Sequence, residues 1–397
     1  MTTDNAVTPR RLRIDREYLE QVLLELLEIP SPSGRTDHVQ QYVGERLQQL
    51  GLTFQINRRG AILATLDGDR DDVDRTVVVH TDTIGCMVRA VKPNGRLALK
   101  PIGTHSARFA EGAQVRIFTD DLDAVITGTV LPLKASGHRY DDQVDTQGVG
   151  WEHVEVRIDE RVRDAADVRA LGIDVGDFVA LLSAPVVTPT GFVKARHLDD
   201  KAGVAASLAA LKALTEEDVH LRVNAHLLVT CTEEVGHGAS HGVDPHMAEI
   251  VSVDTAVVAP DQQSREDAVC VGMADGVGPF DYHLSRRLLA LATDYDIPCV
   301  RDVFEYYRSD LAAALESGAD SRVALLAFGV DATHGHERTH IDGLVHLAEL
   351  LVVYLQTDLV FPEWDAGTRA GDLEAFPSLA VQPALEDGPR DGPIGVE

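Results

Sequence analysis

Thr76-Val77-Val78-Val79-His80-Thr81-Asp82 reads as an enclosed strand that runs straight into ionisable side chains. Its β-branched residues suit a pleated, buried strand, and period-two alternation puts His80 and Asp82 on one face. A carboxylate beside an imidazole is the pairing a metal-bound histidine uses, because it fixes the tautomer and raises the basicity of the ligating nitrogen. Alone, the pair is weakly specific, since a histidine closing a strand is more often structural.

Acids recur at the margins of other apolar stretches. Asp199 and Asp200 precede an Ala/Leu-rich helical segment reaching residue 214, where one of them is expected to serve as an N-cap. Glu233 and Glu234 close the apolar run 227–231, and adjacent carboxylates at a buried strand end are costly unless positive charge lies between them. Asp254 falls inside the apolar stretch 250–258, where a capping or surface role fits poorly. Histidines follow late in the chain, in Thr333-His334-Gly335-His336-Glu337-Arg338-Thr339-His340. The ordered set is far more specific than its parts and describes a dinuclear hydrolase. Two cations ~3.5–4 Å apart, bridged by a carboxylate and a water, lower the pKa of that water and polarise a substrate carbonyl.

Outward from these residues the chain reads as α/β. Asp15 is placed to cap a helix whose apolar stripe is Leu19, Val22, Leu23, Leu26 and Leu27, ending at Pro30. A second amphipathic helix covers 39–50 and stops at Gly51, with strands at 61–66 and 76–79. Short alternating runs at 114–118, 124–130 and 153–158 predict a β-rich insertion over 91–187 that divides the catalytic domain into 1–90 and 188–360. After 199 the α/β rhythm resumes, with strands at 225–231, 251–258 and 323–328, a helix at 282–292 and a final helix at 342–355 capped by Asp342. From 361 to 397 Pro, Gly and acids dominate, which predicts a tail without a packed core. The fold class expected is a mixed-sheet α/β metallopeptidase-type domain with helices on both faces, interrupted by the smaller β-rich domain.

Composition excludes several partners. The 64 Asp and Glu against 36 Lys and Arg give a formal charge of −28, which repels phosphate backbones and anionic lipid surfaces, so neither nucleic acid nor membrane is expected. Cys86, Cys231, Cys270 and Cys299 form no CxxC pair, and a reduced, cytoplasmic protein is the simplest reading. No apolar stretch follows Arg10, Arg11, Arg13 and Arg16 as in a secretory signal, and no run of about 18 apolar residues could span a bilayer.

The wording and order of Glu28-Ile29-Pro30-Ser31-Pro32-Ser33-Gly34, His80-Thr81-Asp82-Thr83-Ile84-Gly85, Leu198-Asp199-Asp200-Lys201-Ala202-Gly203 and Thr232-Glu233-Glu234-Val235-Gly236 resemble the tetrahedral and glutamyl aminopeptidase family of two-metal peptidases, over most of 16–358. Leu171-Gly172-Ile173-Asp174-Val175-Gly176-Asp177 resembles the end of that family's inserted domain. The resemblance implies that Asp199 bridges two divalent cations, with Glu234 and a late histidine completing one site and His80 and Asp254 the other. It makes Glu233 the general base and Asp82 the residue that orients His80, and sets Asp310 at a turn near the substrate.

The late histidine departs from the family's His-Ser wording. His334 is best placed if Gly335 stands for the serine, with His340 and His336 as alternatives; His197, His237 and His241 are expected to be structural or exposed. Oxygen and imidazole ligands admit zinc, cobalt or manganese, zinc being expected. The family implies dimers building to a dodecamer and a peptide or small amide substrate. The Glu337-Arg338-Thr339-His340 wording also resembles a subgroup found beside bacterial systems for the osmolyte N-acetylglutaminylglutamine amide. The competing readings are an amidase or deacylase of small osmolytes or acylated amino acids, and an inactive peptidase-like binding protein.

Overall fold

The computed structural model describes residues 8–362, so nearly all of the acid-rich segment at 361–397 lies outside the described residues. The strands in chain order are β1 Thr53–Ile56, β2 Ile62–Leu66, β3 Asp74–His80, β4 Gly85–Val91, β5 Leu97–Ile102, β6 Gln114–Phe118, β7 Ile126–Pro132, β8 Val154–Ile158 and β9 Phe178–Leu181. They continue with β10 Val186–Val187, β11 Phe192–Ala195, β12 Asn224–Thr230, β13 Met247–Val258, β14 Val269–Ala274, β15 Cys299–Val303, β16 Arg322–Asp331 and β17 Glu337–His340.

A single sheet runs in the order β1-β2-β12-β3-β13-β16-β17-β11-β10, with β14 and β15 attached beside β16. Its centre, β12-β3-β13-β16, is parallel, the strands flanking it pair antiparallel, and β15 pairs parallel with β14. Parallel strands covered on both faces need near-continuous apolar sequence, which is why the valine run of β3 was readable. Val77 and Val79 join the core beneath helices Arg16–Glu28, Asp37–Gln49, Leu198–Glu216, Tyr282–Asp294 and Ile341–Leu355, whereas Val78 joins the opposite core with Leu311 and Ala314 of helix Asp310–Glu316. Helices therefore cover both faces, as the sequence predicts. Asp15 caps the first of them, accepting the Tyr18 N–H at 3.0 Å.

Strands β4-β5-β8-β7-β6-β9 close a small antiparallel barrel with its own core around Val115, Ile117, Val130, Val156 and Val179. Full closure removes the exposed strand edges that a small sheet would otherwise present. The barrel leaves the main sheet at Gly85, a few residues after His80, and β10 returns the chain to it.

Two helix starts differ from expectation. Neither Asp199 nor Asp200 caps the Ala/Leu-rich helix. Both have non-helical backbone, the peptide bond between them is cis, and the Asp200 carboxylate is fully buried, accepting the His80 N–H at 3.3 Å. The final helix is capped by His340, whose Nδ1 accepts the Asp342 N–H at 3.1 Å; the helix begins at Ile341, so Asp342 is already helical, and its carboxylate meets Arg16.

One buried ion pair ties the sheet to the final helix. Arg75 on β3 and Glu249 on β13 are both fully enclosed; Arg75 donates to the Thr357 carbonyl at 3.0 Å, and Glu249 accepts from the Tyr354 hydroxyl at 2.8 Å and the Val360 N–H at 2.6 Å. Removing one member of such a pair strands the other charge. Glu249→Ala is therefore expected to lose about 3–5 kcal/mol in a urea melt, and a loss under about 1 kcal/mol would show that Arg75 is satisfied by the carbonyls alone.

Candidate metal centre

The carboxyl ends of the four central parallel strands converge at one rim of the sheet, the usual place for a site in an open α/β sheet. The last register pair between β3 and β13 is Val78 with Ser252. His80 and Asp254 each lie two residues further on, so alternation puts them side by side on the same face. Glu233 and Glu234 form a 3-10 turn just past β12, and His334 lies in the loop after β16. Asp199 reaches the same point from the start of helix Leu198–Glu216.

Two ligand triplets result, with donor atoms within 4.8 Å of one another in each: His80, Asp199 and Asp254, and Asp199, Glu234 and His334. Asp199 belongs to both. His80 Nε2 lies 3.1 Å from Asp199 Oδ1 and 3.8 Å from Glu233 Oε2. His334 Nε2 lies 3.5 Å from Asp199 Oδ2 and 3.3 Å from Glu234 Oε2. Each imidazole turns its other nitrogen to a backbone carbonyl, His80 Nδ1 to Asp82 at 3.0 Å and His334 Nδ1 to Thr104 at 2.7 Å. Both Nε2 atoms are thereby committed to the space between the carboxylates. His80 Nε2 is buried there without a hydrogen-bond partner.

Electrostatics show what the space demands. Burial raises Glu233, Asp254 and Asp200 well above the ordinary carboxylate range, and mutual repulsion among the acids adds to it. Burial also raises Glu234, against the pull of His334. Burial would lower both imidazoles, but the carboxylates reverse it: Glu234 and Asp199 hold His334 up to about 12, and Asp199, Asp82 and Glu233 hold His80 well above its usual value. Asp199 is held low despite burial by those same two histidines. The cluster calls for positive charge at the Nε2 positions, and oxygen plus imidazole donors suit a divalent cation.

Around the donors, a layer of contacts fixes their positions. The Asp82 carboxylate stands 3.6 Å from His80 Nδ1, so the nearer orienting contact is its backbone carbonyl. The carboxylate itself accepts the N–H groups of Glu233 at 3.0 Å and Glu234 at 3.2 Å, and the Ser33 hydroxyl. The Pro-rich leader thus lies against the segment after β3, where Pro32 bridges to Thr83 and Ser31 Oγ donates to the Thr81 carbonyl at 2.8 Å. Glu234 is also held by the Ile84 N–H at 3.1 Å. Gly103, at φ +74°, threads the barrel strap past this turn; a Cβ there would stand 2.9 Å from Ile84 and 3.2 Å from the Glu234 carbonyl.

Asp310 spends both oxygens on structure, accepting the Thr230 hydroxyl and the Ala239 N–H at 2.7 Å each, and burial pushes it up to about 6. A Cβ on Gly238 would fall 1.7 Å from its Oδ1, so only glycine fits. His336 is exposed; His340 donates Nε2–H to the Thr190 carbonyl at 2.8 Å, remote from the triplets. His197 Nε2 meets the Leu181 carbonyl, and His237 is exposed. The sequence reading missed Ser33, Thr104, Thr255, Tyr307 and Glu337. Thr255 Oγ1 donates to Asp199 Oδ2 at 3.3 Å, and the Tyr307 hydroxyl faces Asp254 without a formed hydrogen bond.

Asp199, Glu234, Asp254 and His334 line a cavity of about 810 Å³, walled also by Glu233, Glu305, Tyr306, Arg308 and Thr333. That is ample for a peptide end. With His334 inside a triplet and His340 at a helix start, His334→Ala is expected to weaken one cation by more than about 10–100-fold, beyond the range for outer contacts, and His340→Ala to leave both affinities unchanged. Equilibrium metal titration of the two variants decides it, and the reverse pattern would refute the assignment.

The chain is similar in sequence and in fold to known aminopeptidases. The "Putative aminopeptidase YhfE" of Bacillus subtilis (strain 168) is 36% identical over 340 residues, covering 86% of this chain and 98% of its own. Among solved structures, aminopeptidase APDkam598 from the archaeon Desulfurococcus kamchatkensis superposes with a TM-score of 0.78 at 20% identity, covering 88% of this chain and 97% of its own. The Pyrococcus horikoshii TET1 peptidase does so with a TM-score of 0.75 at 19% identity, covering 85% and 99%. The family model for M42 glutamyl aminopeptidases matches residues 60–350, and the chain belongs to that family.

Proposed function

We propose that this chain removes N-terminal residues from peptides with two divalent cations, one held by His80, Asp199 and Asp254 and the other by Asp199, Glu234 and His334. The observation that carries the reading is the shared carboxylate: one aspartate lies within ligand distance of two imidazole nitrogens, each fixed by a carbonyl behind it. When bound, the cations polarise the scissile carbonyl and make a water acidic at neutral pH. Glu233 contributes no atom to either triplet and stands beside both. Its role is to take a proton from the water that adds to the scissile carbonyl carbon and to give it to the amine that leaves as the C–N bond breaks. Asp82 holds the Glu233 amide, so the base keeps its aim without depending on a mobile loop.

The four cysteines are unpaired, which supports a reducing, cytoplasmic setting. No helix among the described residues is long and apolar enough to cross a membrane. The Pyrococcus horikoshii TET1 peptidase can assemble into a tetrahedron or a large octahedral shell, and shared fold supports homo-oligomerisation here as well. Zinc is the proposed native metal, with cobalt or manganese able to use the same donors.

Glu233→Gln is expected to keep both cations and lose at least about a hundredfold in kcat on aminoacyl anilides. Near-normal turnover with metals retained would remove Glu233 from the role of base. N-acetylated anilides, run beside the free-amine ones, are expected to be refused, and their preferential hydrolysis would turn the reading toward an amidase.

A further inference from the structure

Glu337 opens β17 with 1% of its surface exposed, paired in register with Ala195 of β11. Its two oxygens point to two different parts of the chain. Oε2 accepts the backbone N–H of Asp199 at 3.2 Å, and Oε1 accepts that of His334 at 2.9 Å. One is the residue common to both triplets; the other is a ligand of the second triplet.

The His334 loop needs such a hold. Ala332 and His334 both have left-handed backbone, at φ +58° and +61°, a region that residues with a Cβ adopt uncommonly. Gly335 closes the turn by donating its N–H to the Ala332 carbonyl at 2.9 Å, and a Cβ there would stand 2.9 Å from that same oxygen. Two hydrogen bonds then aim the imidazole: the ring Nδ1 to the Thr104 carbonyl, and the backbone N–H to Glu337. Asp199 likewise has its backbone on Glu337 and one carboxylate oxygen on Thr255.

We infer that Glu337 is a positioning residue, a clamp whose carboxylate fixes the separation of Asp199 and His334 and thereby sets the affinity of the cation they share. Only a carboxylate supplies two acceptors on one rigid, planar group. A glutamine keeps the size but offers one acceptor and turns an NH2 donor toward the other amide N–H. An aspartate keeps the charge but is one methylene too short to reach both amides. The inference rests on the two-cation reading above and goes beyond it by naming what holds the bridge.

The test is a chelator-competition titration of the full chain, wild type beside Glu337→Gln and Glu337→Asp, with circular dichroism to confirm folding. Both variants are expected to bind the cation of the Asp199, Glu234 and His334 triplet about 10–100-fold less tightly. Their kcat at limiting metal should fall while KM stays within about threefold, and excess free metal should restore turnover. A residue that only stabilises the fold would lower the melting temperature without producing metal-dependent rescue. Metal affinities within about twofold of wild type, or a loss of turnover that added metal does not restore, would overturn the clamp. Should Glu337→Gln fail to fold, Glu337→Asp is judged by the same outcomes. A wild-type chain that binds no divalent cation would instead overturn the two-cation reading, so the two failures are distinguishable.

Discussion

Carboxylates gathered in a buried place repel one another and lose their hydration, and they stay ionised only if positive charge is brought among them. Asp199, Glu233, Glu234 and Asp254 meet at one rim of the sheet, where the protein supplies His80 and His334 and leaves their Nε2 atoms facing the acids. Most of the surrounding architecture serves that juxtaposition. Parallel β12, β3, β13 and β16 end together, so residues separated by as many as 254 positions in sequence, His80 and His334, face the same space. The buried Arg75–Glu249 pair at the other end of β3 and β13 locks the register that puts His80 next to Asp254.

Behind the ligands, the contacts fall largely on backbone atoms. Asp82 grips the amides of the Glu233–Glu234 turn and is itself held by Ser33. The barrel contributes through Thr104, whose carbonyl sets the ring of His334, and through Gly103, which leaves space for the turn. The barrel is therefore part of the site's construction while keeping a core of its own.

Much of this was legible in the sequence because burial on both sides leaves a strong signature. The apolar runs ending in His80, in the Glu233–Glu234 pair and around Asp254 marked the central strands and candidate site residues at once, since charges are conspicuous where only apolar residues belong. Shorter, half-exposed strands such as β10, β15 and β17 carry weaker patterns and were not assigned. The cap of the last helix was misread because Asp342 is a favoured cap residue, yet the helix begins one residue earlier, so Asp342 supplies an N–H that His340 caps. Partners that act through main-chain groups, such as Thr104, leave no mark in residue type. Ser33 and Glu337 stood inside quoted motifs, but nothing in their spacing revealed which amide or carboxylate they hold.

The central claim is that a single carboxylate serves two cations, and metal content tests it most directly. Elemental analysis of purified, dialysed protein is predicted to find two divalent cations per wild-type chain and neither retained in Asp199→Ala, because that side chain is common to both triplets. A folded Asp199→Ala protein that keeps two tightly bound cations would contradict the account and move the bridge to another acid, with the adjacent, fully buried Asp200 the one to examine.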